Sequence, residues 1–336
     1  MAGQRTGTGS PPSMSTPDSL AQGDTGPLVV DLRIRLRSLG FDTPGHDDAF
    51  DETTAGALRS FQASRGLDPD AFCGPQTWLA LTEASFHLGS RLLCLTAPMT
   101  RGDDVAELQL RLGSLGFDAG RTDGIFGPNT QRALGEFQRN VGLVADLVCG
   151  PNTVEHLLRL ATRGSNISVA GLREREELHA RRERLIGLRI ALCHHEGDEL
   201  LAGRAGSELQ RAGATAAAMT GADWSTIATA VNEFNADVCI AISPSSSACC
   251  EVSYFSTEGF ESAGGARLAR LLVAEIPSDP HRPPAVVVPM RHPILRETRC
   301  PTVRWKVGDD VVISETSALL VAAIERAVRR WVAEPG

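Results

Sequence analysis

The sequence repeats itself at a constant offset of 76 residues. Leu39-Gly40-Phe41 returns as Leu115-Gly116-Phe117, Ala57-Leu58 as Ala133-Leu134, and Phe61-Gln62 as Phe137-Gln138. Gly66-Leu67 returns as Gly142-Leu143, and Cys73-Gly74-Pro75 as Cys149-Gly150-Pro151. No gap separates the anchors of the two copies. The fold must therefore contain one small unit twice over, and periodicity inside the copies says which unit it is.

Leu32, Leu36 and Leu39 fall at helical spacing, as do Leu108, Leu112 and Leu115. Gly40 and Gly116 follow directly and suit the left-handed residue that ends a helix. A second helix opens at Gly127-Pro128-Asn129-Thr130 and runs through Ala133, Leu134 and Phe137. Proline is tolerated at a first helical position, where an N–H has no intrahelical partner. The third helix opens at Gly74-Pro75 and Gly150-Pro151 in the same way. Residues 27–88 and 100–162 are thus expected to form two all-α three-helix bundles. Each has about sixty residues, near the lower limit for independent folding.

Residues 1–26 are rich in Gly, Ser, Thr and Pro and are expected to form a disordered tail. Its hydroxyls (Thr6, Thr8, Ser10, Ser13, Ser15 and Thr16) are candidate phosphorylation sites, with a passive tail as the alternative. Residues 163–187 form a linker in which 172–184 is dense in both charges. That stretch reads as a solvated helix, with a docking element as the other reading. From 188 to 336 the texture changes. Strand patterns at 188–193, 237–242, 252–255, 285–288 and 301–307 alternate with helical patterns at 199–212, 224–235, 262–275 and 315–332. This alternation predicts an α/β domain with a mostly buried mixed sheet.

A formal net charge of −8 argues against a general binder of nucleic acid or of anionic membrane. Lys306 is the only lysine, and arginine carries the remaining basic charge, as in chains from GC-rich genomes. The eight cysteines form no C-x-x-C pair, and most have apolar neighbours. There is no apolar leader and no run long enough to span a bilayer. The expectation is a reduced, cytoplasmic protein without a transmembrane segment.

The repeat resembles the peptidoglycan-binding domain 1 family. The likeness rests on the leucine pattern leading into Leu-Gly-Phe, on Asp123-Gly124-Ile125-Phe126-Gly127-Pro128-Asn129-Thr130, and on Phe137-Gln138 with Gly142-Leu143. It implies binding of cell-wall glycopeptide, with Asp123, Phe126 and Asn129 as groove candidates. The other reading makes Phe126 a core residue and Gly124 and Gly127 mere turn formers. In the first copy Asp47-Asp48-Ala49-Phe50-Asp51 replaces the turn, and two glycines are gone. The second copy is the better candidate binder.

Residues 188–336 resemble the zinc-dependent N-acetylmuramoyl-L-alanine amidases of the amidase 3 family, in the order of strands and helices and in Leu295-Arg296 followed by Pro301-Thr302-Val303. That likeness implies two histidines and a glutamate on zinc, with a further glutamate as base. His194, or His195 in a neighbouring register, stands at the first ligand. Glu196 or Glu199 stands near the acidic ligand. At the second histidine the chain reads Ala241-Ile242-Ser243-Pro244-Ser245, which puts Ser243 in the ligand's place. A hydroxyl is a poor zinc ligand beside imidazole. At the catalytic glutamate stands Lys306. A dication and an ammonium at ~6 Å and an effective dielectric of ~20 repel by roughly 5 kcal/mol. The expectation is that no catalytic residue survives and no cofactor is bound, with Lys306 in the former metal site, paired to Glu196 or Glu199. Two other clusters, His194-His195-Glu196 with His292 and Cys249-Cys250, read as packing. An active zinc amidase is the alternative.

A particular actinobacterial group of amidase homologues is similar over most of the chain, notably in Leu81-Thr82-Glu83-Ala84-Ser85-Phe86-His87-Leu88-Gly89 and Gly102-Asp103-Asp104-Val105-Ala106. The likeness implies a cytoplasmic regulator of cell-wall precursor synthesis. Its implied partners are a peptidoglycan precursor or fragment, a peptidoglycan-synthesis enzyme and a Ser/Thr kinase.

Overall fold

In each repeat the first helix, α1 (Pro27–Ser38) or α4 (Asp103–Ser114), ends where a glycine takes over the chain reversal. Gly40 has φ +86° and Gly116 has φ +90°. The N–H groups of Phe41 and Phe117 then reach back to the carbonyls of Leu36 and Leu112, both at 2.9 Å. This closes the helix end as the leucine-glycine pattern predicts. The computed structural model describes residues 19–45, 48–160, 174, 185–195, 199–245, 249–257, 259–277, 283–308 and 310–333. The tail hydroxyls, most of the linker, Asp47 and Glu196 lie outside them.

Helices α2 (Glu52–Ser64) and α3 (Pro75–Ala84) complete the first bundle, and α5 (Pro128–Asn140) and α6 (Pro151–Leu160) the second. The prolines at the starts of α3 and α5 follow extended glycines, Gly74 and Gly127. Leu32, Leu36, Leu58, Phe61 and Leu81 fill the first core; Leu108, Leu112, Leu134, Phe137 and Leu157 fill the second. Phe41 meets Phe61 edge-on at 5.6 Å, and Phe117 meets Phe137 at the same distance. The 76-residue offset thus holds in packing as well as in sequence.

The C-terminal part is a three-layer α/β domain. Its strands are β1 (Arg189–Cys193), β2 (Thr215–Met219), β3 (Val238–Ser245), β4 (Cys250–Thr257), β5 (Phe260–Glu261), β6 (Val286–Met290) and β7 (Thr302–Gly308). They form a mixed sheet in the order β2-β1-β3-β7-β4-β5, with β6 also beside β4. β1, β2, β3 and β7 run parallel, and β4 runs against β7. Helices α7 (Glu199–Arg211), α9 (Ala263–Glu275) and α11 (Asp310–Ala333) cover one face. Helices α8 (Trp224–Glu233) and α10 (Pro293–Glu297) cover the other. Side chains alternate between the faces. On β3, Val238, Ile240 and Ile242 point to the first face, and Cys239 and Ala241 to the second. Strand β2 and helix α10 were absent from the periodicity. Thr215-Ala-Ala-Ala-Met219 is alanine-rich, and alanine carries little strand signal.

The chain divides into two compact units, one holding the first repeat, the other the second repeat together with the α/β domain. Among the described residues no helix is long and apolar enough to cross a membrane.

Candidate functional site

The turn of the second repeat is built around one buried amide. Gln109 Nε2 donates to Asp123 Oδ1 (2.9 Å), the Ile125 carbonyl (3.1 Å) and Thr130 Oγ1 (3.1 Å). Its Oε1 accepts from the Gly124 N–H at 2.8 Å. The same arrangement recurs at the other end of the bundle. Gln138 Nε2 donates to Asp146 Oδ1, the Val148 carbonyl and Thr153 Oγ1, and its Oε1 accepts from the Leu147 N–H. Gln62 repeats that second clamp in the first bundle, on Asp70, Phe72, Thr77 and Ala71. In the first bundle, however, Arg33 stands where the second has Gln109. The fully buried guanidinium donates to the carbonyls of Thr43, Pro44 and Ala49 and to Thr54 Oγ1, at 2.7 to 3.0 Å. It holds the turn from which the glycines are missing.

These networks decide where the groove candidates stand. Phe126 is fully buried in the bundle core, packed among the residues that fill the second repeat. Ring burial there is worth about 2–3 kcal/mol, which a ligand would have to replace. Asp123 is half-buried, its Oδ1 shared between Gln109 and the Ile125 N–H. Burial pushes its carboxyl above the usual range, against those two bonds and the Arg296 and Arg121 charges. Asn129 is exposed at the start of α5.

The same turn faces the α/β domain. Arg296 Nε donates to the Asp123 carbonyl at 2.6 Å. Arg101 makes two bonds to the Glu297 carboxylate, at 2.7 and 3.2 Å. Arg121 donates to the carbonyls of Leu295 and Thr298 and lies over the rings of Phe255 (4.4 Å) and Phe260 (5.3 Å). Burial lowers the pKa of Arg121, while Glu174 and Asp123 oppose that shift. Arg101 and Arg121 did not stand out in the sequence, because their hydrogen-bond partners are more than 170 residues away.

On the sheet, Ser243 and Lys306 come together as direct register partners across β3 and β7. Their strands place both on the face covered by α8 and α10. Arg304, two residues before Lys306, shares that face; it is buried, and its Nη2 lies 3.1 Å from Ser243 Oγ. Glu251 is the register partner of Lys306 on β4. His194 is buried just beyond β1, with its Nδ1 2.8 Å from the His195 carbonyl. His195 and His292 both pack on the Trp224 indole, at 4.3 and 5.5 Å. Glu199 is exposed at the start of α7, a helix on the opposite face of the sheet. Among the described residues, the carboxylate opposite Lys306 in strand register is Glu251, which sequence reasoning missed. The sequence of a strand carries no mark of which strand will lie beside it. The donors Ser243, Arg304 and Lys306 do not fit a divalent cation, which needs neutral or anionic ligands. Among the described residues no three His, Cys, Asp or Glu side chains gather as a metal cage.

Residues 25–81 and 101–157 each match the family described as putative peptidoglycan binding domain. The chain is 40% identical over 187 residues to the N-acetylmuramoyl-L-alanine amidase CwlM of Mycobacterium tuberculosis, covering 52% of this chain and 46% of that protein. It is 31% identical over 170 residues to the N-acetylmuramoyl-L-alanine amidase CwlL of Bacillus licheniformis, covering 44% and 47%. It spans about half the length of these curated relatives. Among solved structures, the amidase Ami1 of Mycobacterium smegmatis overlaps 44% of this chain and 98% of its own, with TM-score 0.38 and 13% identity.

Proposed function

We propose that this chain is a peptidoglycan-recognising homologue of the N-acetylmuramoyl-L-alanine amidases that has lost their chemistry and regulates cell-wall precursor synthesis from the cytoplasm. Its ligand is a peptidoglycan precursor or fragment; its protein partners are a peptidoglycan-synthesis enzyme and a Ser/Thr kinase acting on the tail. The matched repeats and the named relatives support the ligand class. One observation carries the loss of catalysis: Ser243, Arg304 and Lys306 meet on one sheet face, where the family resemblance calls for a histidine on zinc and a carboxylate base.

The chemistry of that face supports the reading. Amide hydrolysis at zinc needs a base that accepts a proton from the attacking water. Lysine is ordinarily protonated at neutral pH and has no lone pair to offer. A buried guanidinium beside Ser243 adds a second positive charge against a dication. The test is incubation of the full chain with purified muropeptides, with and without added zinc. No release of L-alanine-headed peptide is expected in either case. Zinc-dependent release would reverse the assignment, and absence of muropeptide binding would remove the ligand class.

A further inference from the structure

The arginines through which the second repeat meets the α/β domain have no like counterparts in the first repeat's sequence. Where it carries Arg101 and Arg121, the first repeat has Thr25 and Gly45. Ile34 in the first repeat is 56% exposed. Its counterpart Leu110 packs against Gly259 in the turn before β5, so closely that a Cβ at Gly259 would lie 2.2 Å from Leu110 Cδ1. Gly259 has φ +77°, which glycine alone adopts without strain. One copy of a duplicated module has thus been fitted to the chain's own domain.

The fitted surface includes the turn from which glycopeptide binding is inferred. Arg296 is bonded to the backbone of Asp123, and an added Cβ on Gly124 would lie 3.5 Å from Arg296 Nη2. Arg101 and Arg121 flank the turn in sequence and anchor it to 295–298. The linker joins the same junction. Glu174 Oε1 accepts from Ser262 Oγ at 2.7 Å, at the N-terminus of α9. Arg121 Nε and Glu174 Oε2 are buried there without a hydrogen-bond partner among the described residues. Among the described residues this junction is held mainly by arginine hydrogen bonds and ion pairs, with the Leu110–Gly259 contact as its apolar part. Interfaces of that kind between domains of one chain open readily, unlike a hydrophobic core.

We infer that the Arg101–Glu297, Arg121 and Arg296 contacts form a latch that holds the second repeat's turn shut against the α/β domain, so that a peptidoglycan fragment reaches the turn only when the latch opens. This rests on the proposed peptidoglycan-binding reading of the repeat. An equilibrium of this kind lowers the apparent affinity by the fraction of open molecules.

The test leaves the repeat's own surface untouched by altering only the domain side. Glu297→Gln and Arg296→Ala are made in the full chain, with Arg59→Ala, an exposed first-repeat ion pair, as control. Hydrogen exchange at Gly102 and Phe126, whose N–H groups close the turn ladder, reports the latch without ligand. Binding of a soluble disaccharide-peptide monomer reports access. Both domain variants should exchange faster at these amides and bind the monomer at least about fivefold more tightly, within the usual range of coupling between sites; the control should change neither. Glu297→Gln keeps the side-chain shape, so it serves where Arg296→Ala disturbs folding. Faster exchange with unchanged affinity overturns the latch and leaves the binding reading intact. Failure of every form to bind, with normal exchange in the control, overturns both.

Discussion

Arg304 and Ser243 are hydrogen-bonded across neighbouring strands, Nη2 to Oγ at 3.1 Å, both side chains buried. The pair sits beside Lys306, so restoring a single ligand does not restore a metal site. Ser243→His should leave the purified chain with substoichiometric zinc by elemental analysis after dialysis against the metal. The imidazole would add one ligand while two positive charges remain. Stoichiometric zinc in that variant would show that Arg304 and Lys306 do not oppose a cation there.

Gln138 makes four hydrogen bonds from one buried amide. Gln138→Leu keeps the volume and removes all of them. Asp146 is exposed and regains water, but the Leu147 N–H and the Val148 carbonyl lose a protein partner. The expected cost is about 2 kcal/mol in chemical denaturation. Exchange protection at Leu147 should be lost in the same variant. Gln62→Leu should do the same in the first repeat, at Ala71.

Acid should loosen the first repeat in a defined window. Asp51 stands just before α2 and accepts from the Thr54 N–H (2.8 Å) and Thr53 Oγ1 (2.7 Å). These bonds, led by the one from the Thr54 backbone, lower its carboxyl from 3.8 to about 2. The folded form thus holds its proton less tightly than the unfolded form. Its contribution to stability is complete above about pH 4 and is lost as pH falls through about 2. Asp51→Ala should lower the melting temperature at pH 7, by an amount equivalent to about 1 kcal/mol for a lost helix cap. The difference between variant and parent should shrink steadily between pH 4 and pH 2, measured by circular dichroism.

Burial raises the thiols of Cys73, Cys149 and Cys300 to about 12. At pH 8 almost none of each is thiolate, the form that reacts. In the native chain these three should resist iodoacetamide, while the half-buried Cys94 and Cys249 label first. Mass spectrometry of peptides after a timed pulse separates the groups. Early labelling of Cys73 or Cys149 would mean that the bundles open on that timescale.

The repeats were legible because their signals are local: a leucine stripe, a glycine after it, a proline at the next helix start. The core strands were legible as apolar runs. The edge strand β2 was not, since its three alanines fit a helix as well as a strand. At the candidate site, sequence marked Ser243 and Lys306 by comparison with a motif, but not that they face each other or that Arg304 backs them. Those relations depend on β7 lying between β3 and β4, and strand order has no local signature. Phe126 was left between two readings for a different reason. A motif residue beside a turn suggests a ligand as readily as a core, and only burial separates the two.

Arg33 carries a consequence for how such modules diverge. Its guanidinium takes over the bonding that Gln109 performs in the sister copy, from the same position on the first helix. The bundle therefore tolerates rewriting of its most recognisable turn, provided that one long donor spans the gap. Recognition by turn glycines alone would undercount these modules in distant proteins. An engineer wishing to change what the turn displays has, in this single arginine, a scaffold that survives the change.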